Sequence, residues 1–179
     1  DAPDETCFHL TPCCEPIRIA ASQARTKSHP DQEDSSVLLG IKPCISPELL
    51  YTLARMGHGD EIVIVDAFYP SHSRNANVIR CDGTDAADLL DGIMSLMNPD
   101  SYVEAPIVMM EPANGDPLDP QVEADFRAAI DRYWPDTPPI QRMDRQSFLT
   151  RSTKAFAIVQ TGETRKYGNV ILKKGVIPV

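Results

Sequence analysis

A histidine held between two glycines, in the run Gly57-His58-Gly59-Asp60-Glu61, is the group in this sequence best suited to move a proton. Its imidazole titrates near pH 6.5 when unperturbed, so it gives or takes a proton around neutrality. The flanking glycines let the backbone turn sharply and let a ligand approach closely. Asp60, Glu61 and Asp66 follow within eight positions. No nucleophile elbow, phosphate-cradling loop or dinucleotide fingerprint accompanies them. The four histidines form no H-x-x-x-H pair, so a catalytic metal is not expected. The chemistry indicated is proton transfer and not nucleophilic attack. The competing reading of His58 is a helix C-terminal ring that donates to the last carbonyls and feels the favourable end of the helix dipole.

A second constellation, Lys166-Tyr167-Gly168-Asn169, offers a phenol, a flexible backbone and an amide within a few residues. A sugar is held by apposed donors and acceptors of this kind beside an aromatic face. The plainer reading is a Gly-Asn turn entering a strand. Asp66, at the end of an apolar run, is where ligands gather in parallel α/β sheets, or else a turn-forming carboxylate. Arg145 and Asp100 stand alone in polar loops, where such side chains are usually solvated.

The elements that must position these groups are legible from pattern. Ser46-Pro47-Glu48 supplies an N-cap, a first-turn proline and an acid. Leu49, Leu50, Leu53 and Met56 then repeat at helical spacing, with Gly57 as the expected stop. Glu61 to Ala67 is a nearly continuous β-branched run, suited to a strand buried on both faces. Asn77 to Cys81 reads as a strand, and Thr84 caps a helix carrying Leu89, Leu90, Ile93, Leu96 and Met97. Pro106 to Glu111 is a strand, Asp119-Pro120 opens a helix with Val122, Phe126, Ile130 and Tyr133 inward, and Ile140 to Met143 is a strand. Asp144 caps a short helix through Lys154. Ala155 to Thr161 and Asn169 to Lys173 are strands joined by the turn around Gly162. Alternating strands and helices predict one α/β domain over residues 37–179, with a mostly parallel sheet flanked by helices.

Residues 1–36 differ: polar, acidic and rich in proline, they read as an irregular N-terminal extension with one short helix near 17–26. They carry no apolar stretch of signal-peptide length, and their acidity is unlike a transit peptide. Cys7, His9, Cys13 and Cys14 have no zinc-finger or ribbon spacing, so the five cysteines are expected as free thiols in a reducing, cytoplasmic setting. The net charge of -9 and scattered basic residues argue against nucleic acid as a partner. No apolar run approaches the ~20 residues that span a bilayer, so no membrane partner is expected.

From Val37 to Val179 the chain resembles the L-fucose mutarotase and D-ribose pyranase family, most closely its fucose-type members. The resemblance rests on Ile45-Ser46-Pro47-Glu48-Leu49-Leu50, on Arg55-Met56-Gly57-His58-Gly59-Asp60-Glu61-Ile62-Val63 and on Ile79-Arg80-Cys81-Asp82-Gly83. It continues through Lys154-Ala155-Phe156-Ala157-Ile158-Val159, Thr161-Gly162-Glu163 and Tyr167-Gly168-Asn169-Val170-Ile171-Leu172-Lys173-Lys174-Gly175-Val176. It implies a cofactor-free isomerase that interconverts the anomers of a free sugar, assembled as a ring of subunits, often paired into a homodecamer. By similarity His58 is the proton donor, Asp66 and Arg145 bind substrate, and Tyr167, Gly168 and Asn169 form the sugar-binding Tyr-Gly-Asn. Asp100 and Met110 match pocket-lining positions of some members.

One departure stands out. Fucose-type members carry Phe-Tyr-Glu-Arg where this chain has Phe148-Leu149-Thr150-Arg151. The Tyr that contacts sugar is absent, which leaves the preferred sugar open. D-ribose pyranase and a non-catalytic sugar-binding protein of the same fold are the alternatives.

Overall fold

A computed structural model describes residues 38–113 and 115–177. The extension expected over residues 1–36, the short helix near 17–26, and Cys7, His9, Cys13 and Cys14 lie outside the described residues.

Helix α1 (Pro47–Arg55) begins where Ser46 accepts a hydrogen bond from Leu49 N at 3.1 Å. Such a cap is worth about 1 kcal/mol. Its end differs from expectation. Met56 is already extended and caps the helix, and the left-handed residue is Gly59, φ +86°, not Gly57. The reversal therefore comes one residue after the imidazole. Gly59 N then donates to Lys174 O at 2.8 Å, tying the turn to the far end of the last strand.

The remaining elements are β1 (Glu61–Val65), a 3-10 turn (Ser71–Ser73), β2 (Val78–Cys81), α2 (Ala86–Met94), β3 (Ile107–Met110), α3 (Pro120–Asp131), β4 (Gln141–Met143), α4 (Arg145–Ser152), β5 (Ala157–Thr161) and β6 (Val170–Lys173). Asp119 and Asp144 cap α3 and α4 through their carboxylates, as their positions before the helices imply. The N-cap of α2 is Asp85, not Thr84, and it makes no side-chain cap bond; Leu96 and Met97 lie beyond that helix.

Six strands form one sheet in the order β2-β5-β1-β6-β3-β4. Five run in the same direction, and β6 alone is antiparallel to both neighbours, β1 and β3. The mostly parallel sheet is borne out. β5 and β6 do not pair, however: β1 lies between them, so the segment around Gly162 is a crossover over the carboxyl end of β1. Helices α1, α2 and α3 cover one face through Leu49, Leu90, Phe126 and Ile130 against Ile62, Ile64 and Met109. Each such fully buried side chain contributes roughly 1.5–3 kcal/mol. On the other face Phe148 and Leu149 of α4 pack with Val63, Val65, Ile158 and Ile171.

Candidate active site

The carboxyl end of β1 delivers Asp66, and the amino end of antiparallel β6 delivers Asn169 beside it. The two residues are joined twice. Asp66 N donates to Asn169 Oδ1 at 3.0 Å, and Asn169 Nδ2 donates to Asp66 Oδ2 at 2.7 Å. Phe68 N donates to Asp66 Oδ1 at 3.0 Å. Burial pushes the Asp66 carboxyl above its ordinary range, and the bonds from Asn169 and Phe68 only partly offset it.

A cleft of about 240 Å³ opens over this pair. Its walls are Phe68, Tyr69 and Pro70 after β1, Met110 at the end of β3, Arg145 and Leu149 on α4, Asp116, and Lys166 and Tyr167 of the crossover. That volume is below the roughly 300–1,000 Å³ of drug-sized pockets and suits a monosaccharide. Arg145 is the first residue of α4, and its side chain makes no hydrogen bond or ion pair among the described residues. Its donors are available to a ligand. Phe68 is 70% exposed and offers a free aromatic face at the rim.

Tyr167 adopts φ +66°, the one non-glycine with positive φ among the described residues. A left-handed backbone at a bulky residue costs about 1–3 kcal/mol and persists where its surroundings hold it. Here the phenol donates to Asp116 Oδ2 at 2.6 Å and accepts from Ala113 N at 3.1 Å. Gly168 lies beneath, away from the cleft, where a Cβ would stand 2.8 Å from Glu163 Cγ, so its lack of a side chain permits close packing. Glu163 receives three bonds from Arg165: from the backbone N–H and Nε at Oε1 and from a terminal guanidinium nitrogen at Oε2, all within 3.0 Å. Burial raises the Glu163 carboxyl, but these bonds outweigh it and hold the group below its ordinary value.

His58 and Asp100 are not in this cleft. They meet each other instead, His58 Nε2 lying 3.1 Å from Asp100 Oδ1, with the ring of Tyr102 5.5 Å from the imidazole centroid. Asp100 is buried. Burial raises its carboxyl, while the Tyr102 N–H and His58 more than compensate and keep it below its usual range. His58 remains half-exposed, its side chain 45% accessible. The pair sits before β1 begins, whereas Asp66 follows its end. Five strand residues at ~3.3 Å each separate the two groups by roughly 16 Å. The chain thus brings together Asp66, Met110, Arg145, Tyr167 and Asn169, and sets His58 and Asp100 at the opposite end of the sheet.

Sequence reasoning did not reach Asp116, Lys166 as a wall residue, or the Glu163–Arg165 pair. The Phe68–Pro70 wall had a signal in the irregular segment that follows Asp66. Among the described residues no group of three or more His, Cys, Asp or Glu is placed to hold a metal ion, and no helix is long and apolar enough to cross a membrane.

Comparisons with known proteins give this geometry a context. Residues 39–177 match the RbsD / FucU transport protein family. The L-fucose mutarotase of Actinobacillus pleuropneumoniae serotype 5b is 53% identical over 143 residues, covering 80% of this chain and 99% of that protein. The L-fucose mutarotase of Haemophilus influenzae is 50% identical over the same span. Among solved structures, the fucose mutarotase of Streptococcus pneumoniae in complex with L-fucose superimposes with TM-score 0.75 at 48% identity, over 79% of this chain and 100% of that one. Bacillus subtilis RbsD complexed with D-ribose matches the fold with TM-score 0.59 at 23% identity, over 75% and 95% of the two chains.

Proposed function

Because the chain belongs to the RbsD / FucU family, we propose that it is an L-fucose mutarotase, interconverting the α and β anomers of the free sugar. The observation that carries this reading is the monosaccharide-sized cleft over the Asp66–Asn169 pair, in a chain half identical to mutarotases over 143 residues. The activity is assigned to residues 37–179, in keeping with the family match over 39–177.

Anomer exchange opens the ring. The bond between C1 and the ring oxygen breaks, the ring oxygen gains a proton, and the anomeric hydroxyl loses one to become the aldehyde. Rotation and re-attack on the other face reverse the proton movements, with no net oxidation and no group transferred. General acid–base help of this kind contributes about 10²–10⁴-fold. His58 is the proton donor in this reading. Asp100 holds Nε2, which leaves Nδ1 to face the ring oxygen, and water takes the hydroxyl proton. Asp66, Asn169, Tyr167 and Arg145 bind sugar hydroxyls, while Met110 and Phe68 supply apolar contact.

His58 lies too far from Asp66 of its own chain to touch the same sugar. The site is therefore shared: His58 of one copy faces the cleft of a neighbour, in a ring of copies paired as a homodecamer. The half-exposed imidazole and the open cleft support this arrangement. Cys44 and Cys81 are free thiols, in keeping with a cytoplasmic location.

Magnetisation-exchange NMR of L-fucose and D-ribose with the purified protein tests the function. Accelerated exchange of L-fucose is expected. Exchange of D-ribose alone would make the chain a ribose pyranase, and binding without exchange would make it a sugar-binding protein.

A further inference from the structure

We propose that Asp116 is a specificity-determining residue that accepts a hydrogen bond from one hydroxyl of the bound sugar through Oδ1. The inference rests on the mutarotase reading and concerns the same cleft.

Asp116 comes from the connection between β3 and α3 and lines the cleft with Asp66, Arg145, Leu149 and Asn169. Its backbone N–H donates to Ala113 O at 3.0 Å, which fixes the turn. Oδ2 is occupied, accepting from Tyr167 Oη at 2.6 Å and from Lys166 Nζ at 3.4 Å. Oδ1 accepts no hydrogen bond among the described residues. The side chain is 40% accessible, whereas Asp66 is buried and each of its oxygens already accepts one bond, from Asn169 and from Phe68. Asp116 is thus the carboxylate in the cleft with one oxygen that accepts no hydrogen bond among the described residues. The phenol and ammonium beside it also keep it ionised, below the ordinary carboxylate range.

Tyr167 is less free than its place in the cleft implies. Its single hydroxyl proton goes to Asp116, and one lone pair takes Ala113 N–H. A sugar hydroxyl seeking an acceptor on this wall meets the carboxylate. On α4, Leu149 offers no acceptor at all. Hydrogen bonds to a charged acceptor are roughly twice as strong as neutral ones. Asp116 therefore supplies the hydroxyl recognition that the apolar side chain at 149 lacks.

The test is a thermodynamic cycle between protein and ligand. Affinities for L-fucose and for analogues each lacking one ring hydroxyl are measured by calorimetry, and exchange by NMR, on the full chain and on Asp116→Ala, Asp116→Asn and Tyr167→Phe. The unsubstituted chain should bind one analogue about tenfold more weakly than fucose. In Asp116→Ala that penalty should vanish while the penalties for the other analogues persist. In Tyr167→Phe, which keeps the carboxylate, it should remain. Asp116→Asn preserves shape and keeps the comparison open if the alanine variant does not fold; its penalty should shrink several-fold. Uniform weakening of all sugars in the Asp116 variants overturns the proposal, because a merely structural Asp116 would act that way. Fucose binding without exchange by the unsubstituted chain would instead overturn the mutarotase reading and leave the affinity cycle intact. No monosaccharide binding at all would overturn both.

Discussion

His58 takes its carboxylate partner from Asp100, at 3.1 Å, and not from Asp66, which closes the far end of β1. In the proposed mechanism, proton donation and sugar binding are thereby divided between two ends of one sheet. The division makes the two functions separable by substitution.

His58→Ala should lower fucose anomer exchange by about 10²–10⁴-fold while affinity for the sugar stays nearly unchanged. The ring is half-exposed and fills no core position, so the fold should survive. Exchange spectroscopy paired with calorimetry measures both quantities. Unchanged exchange would remove His58 from the mechanism.

Mixing two inactive variants probes the shared site. His58→Ala keeps the cleft at Asp66, and Asp66→Ala keeps the imidazole. If each site draws these groups from different copies, random reassembly of equal amounts should restore about a quarter of the sites. Activity that stays at background after verified subunit exchange would mean that both groups act within one chain. Light scattering on the same samples should give a decamer, and a stable monomer of 19.8 kDa would contradict the arrangement.

Leu149 is buried, 2% exposed, between the cleft and Phe148. Leu149→Tyr adds a hydroxyl to an apolar wall, and one net hydrogen bond of 0.5–1.5 kcal/mol corresponds to about 2- to 13-fold tighter fucose binding. Titration of the variant against L-fucose gives the factor. Abolished binding would mean that the leucine leaves room the sugar requires.

Glu163 is an acid-stability group. Its carboxyl is held below its ordinary value, so the folded chain binds that proton less tightly than the unfolded chain. The stabilisation is complete above the unfolded value of about 4.3 and is lost as pH falls through the lower folded value. Glu163→Gln should cost about 1.5–3 kcal/mol near neutrality, from weakened charge-assisted bonds to Arg165, with the deficit shrinking below pH 4. Urea unfolding at several pH values reads this out. A deficit that stays constant down to pH 3 would show that the charge is not its source.

Asp66 moves the other way. Burial raises its carboxyl, so it protonates at higher pH than an ordinary aspartate. Fucose affinity should therefore weaken on acidification before surface carboxylates titrate. Calorimetry between pH 7 and pH 4 follows the effect, and constant affinity over that range would exclude Asp66 as a hydroxyl acceptor.

Much of the framework was legible locally. Ser46-Pro47, Asp119-Pro120 and Asp144 announce their helices because a cap is a contact between residues two or three apart. Runs such as Glu61–Val65 announce strands because burial on both faces demands apolar side chains throughout. Strand neighbours were not legible in the same way. β5 and β6 are close in sequence yet lie on either side of β1, since pairing is decided by side-chain packing across the whole sheet. The site shows the same limit. Tyr167-Gly168-Asn169 is one short run, whereas the partners that define its chemistry, Asp66 and Asp116, lie 103 and 51 residues away. His58 and Asp100 are 42 apart. No spacing rule connects such pairs.

Strand β6 begins beside Asn169, at the cleft over Asp66, and ends beside Lys174, which holds Gly59 next to the imidazole. In the proposed mechanism, one chain therefore carries a donor half and an acceptor half at opposite ends of the sheet. Copies joined donor to acceptor make a head-to-tail contact, which stops growing only if the rotation between copies closes on itself. An open string is always one site short, with an idle imidazole at one end and an unserved cleft at the other. A closed circle wastes neither half, and each copy it contains corresponds to one complete site.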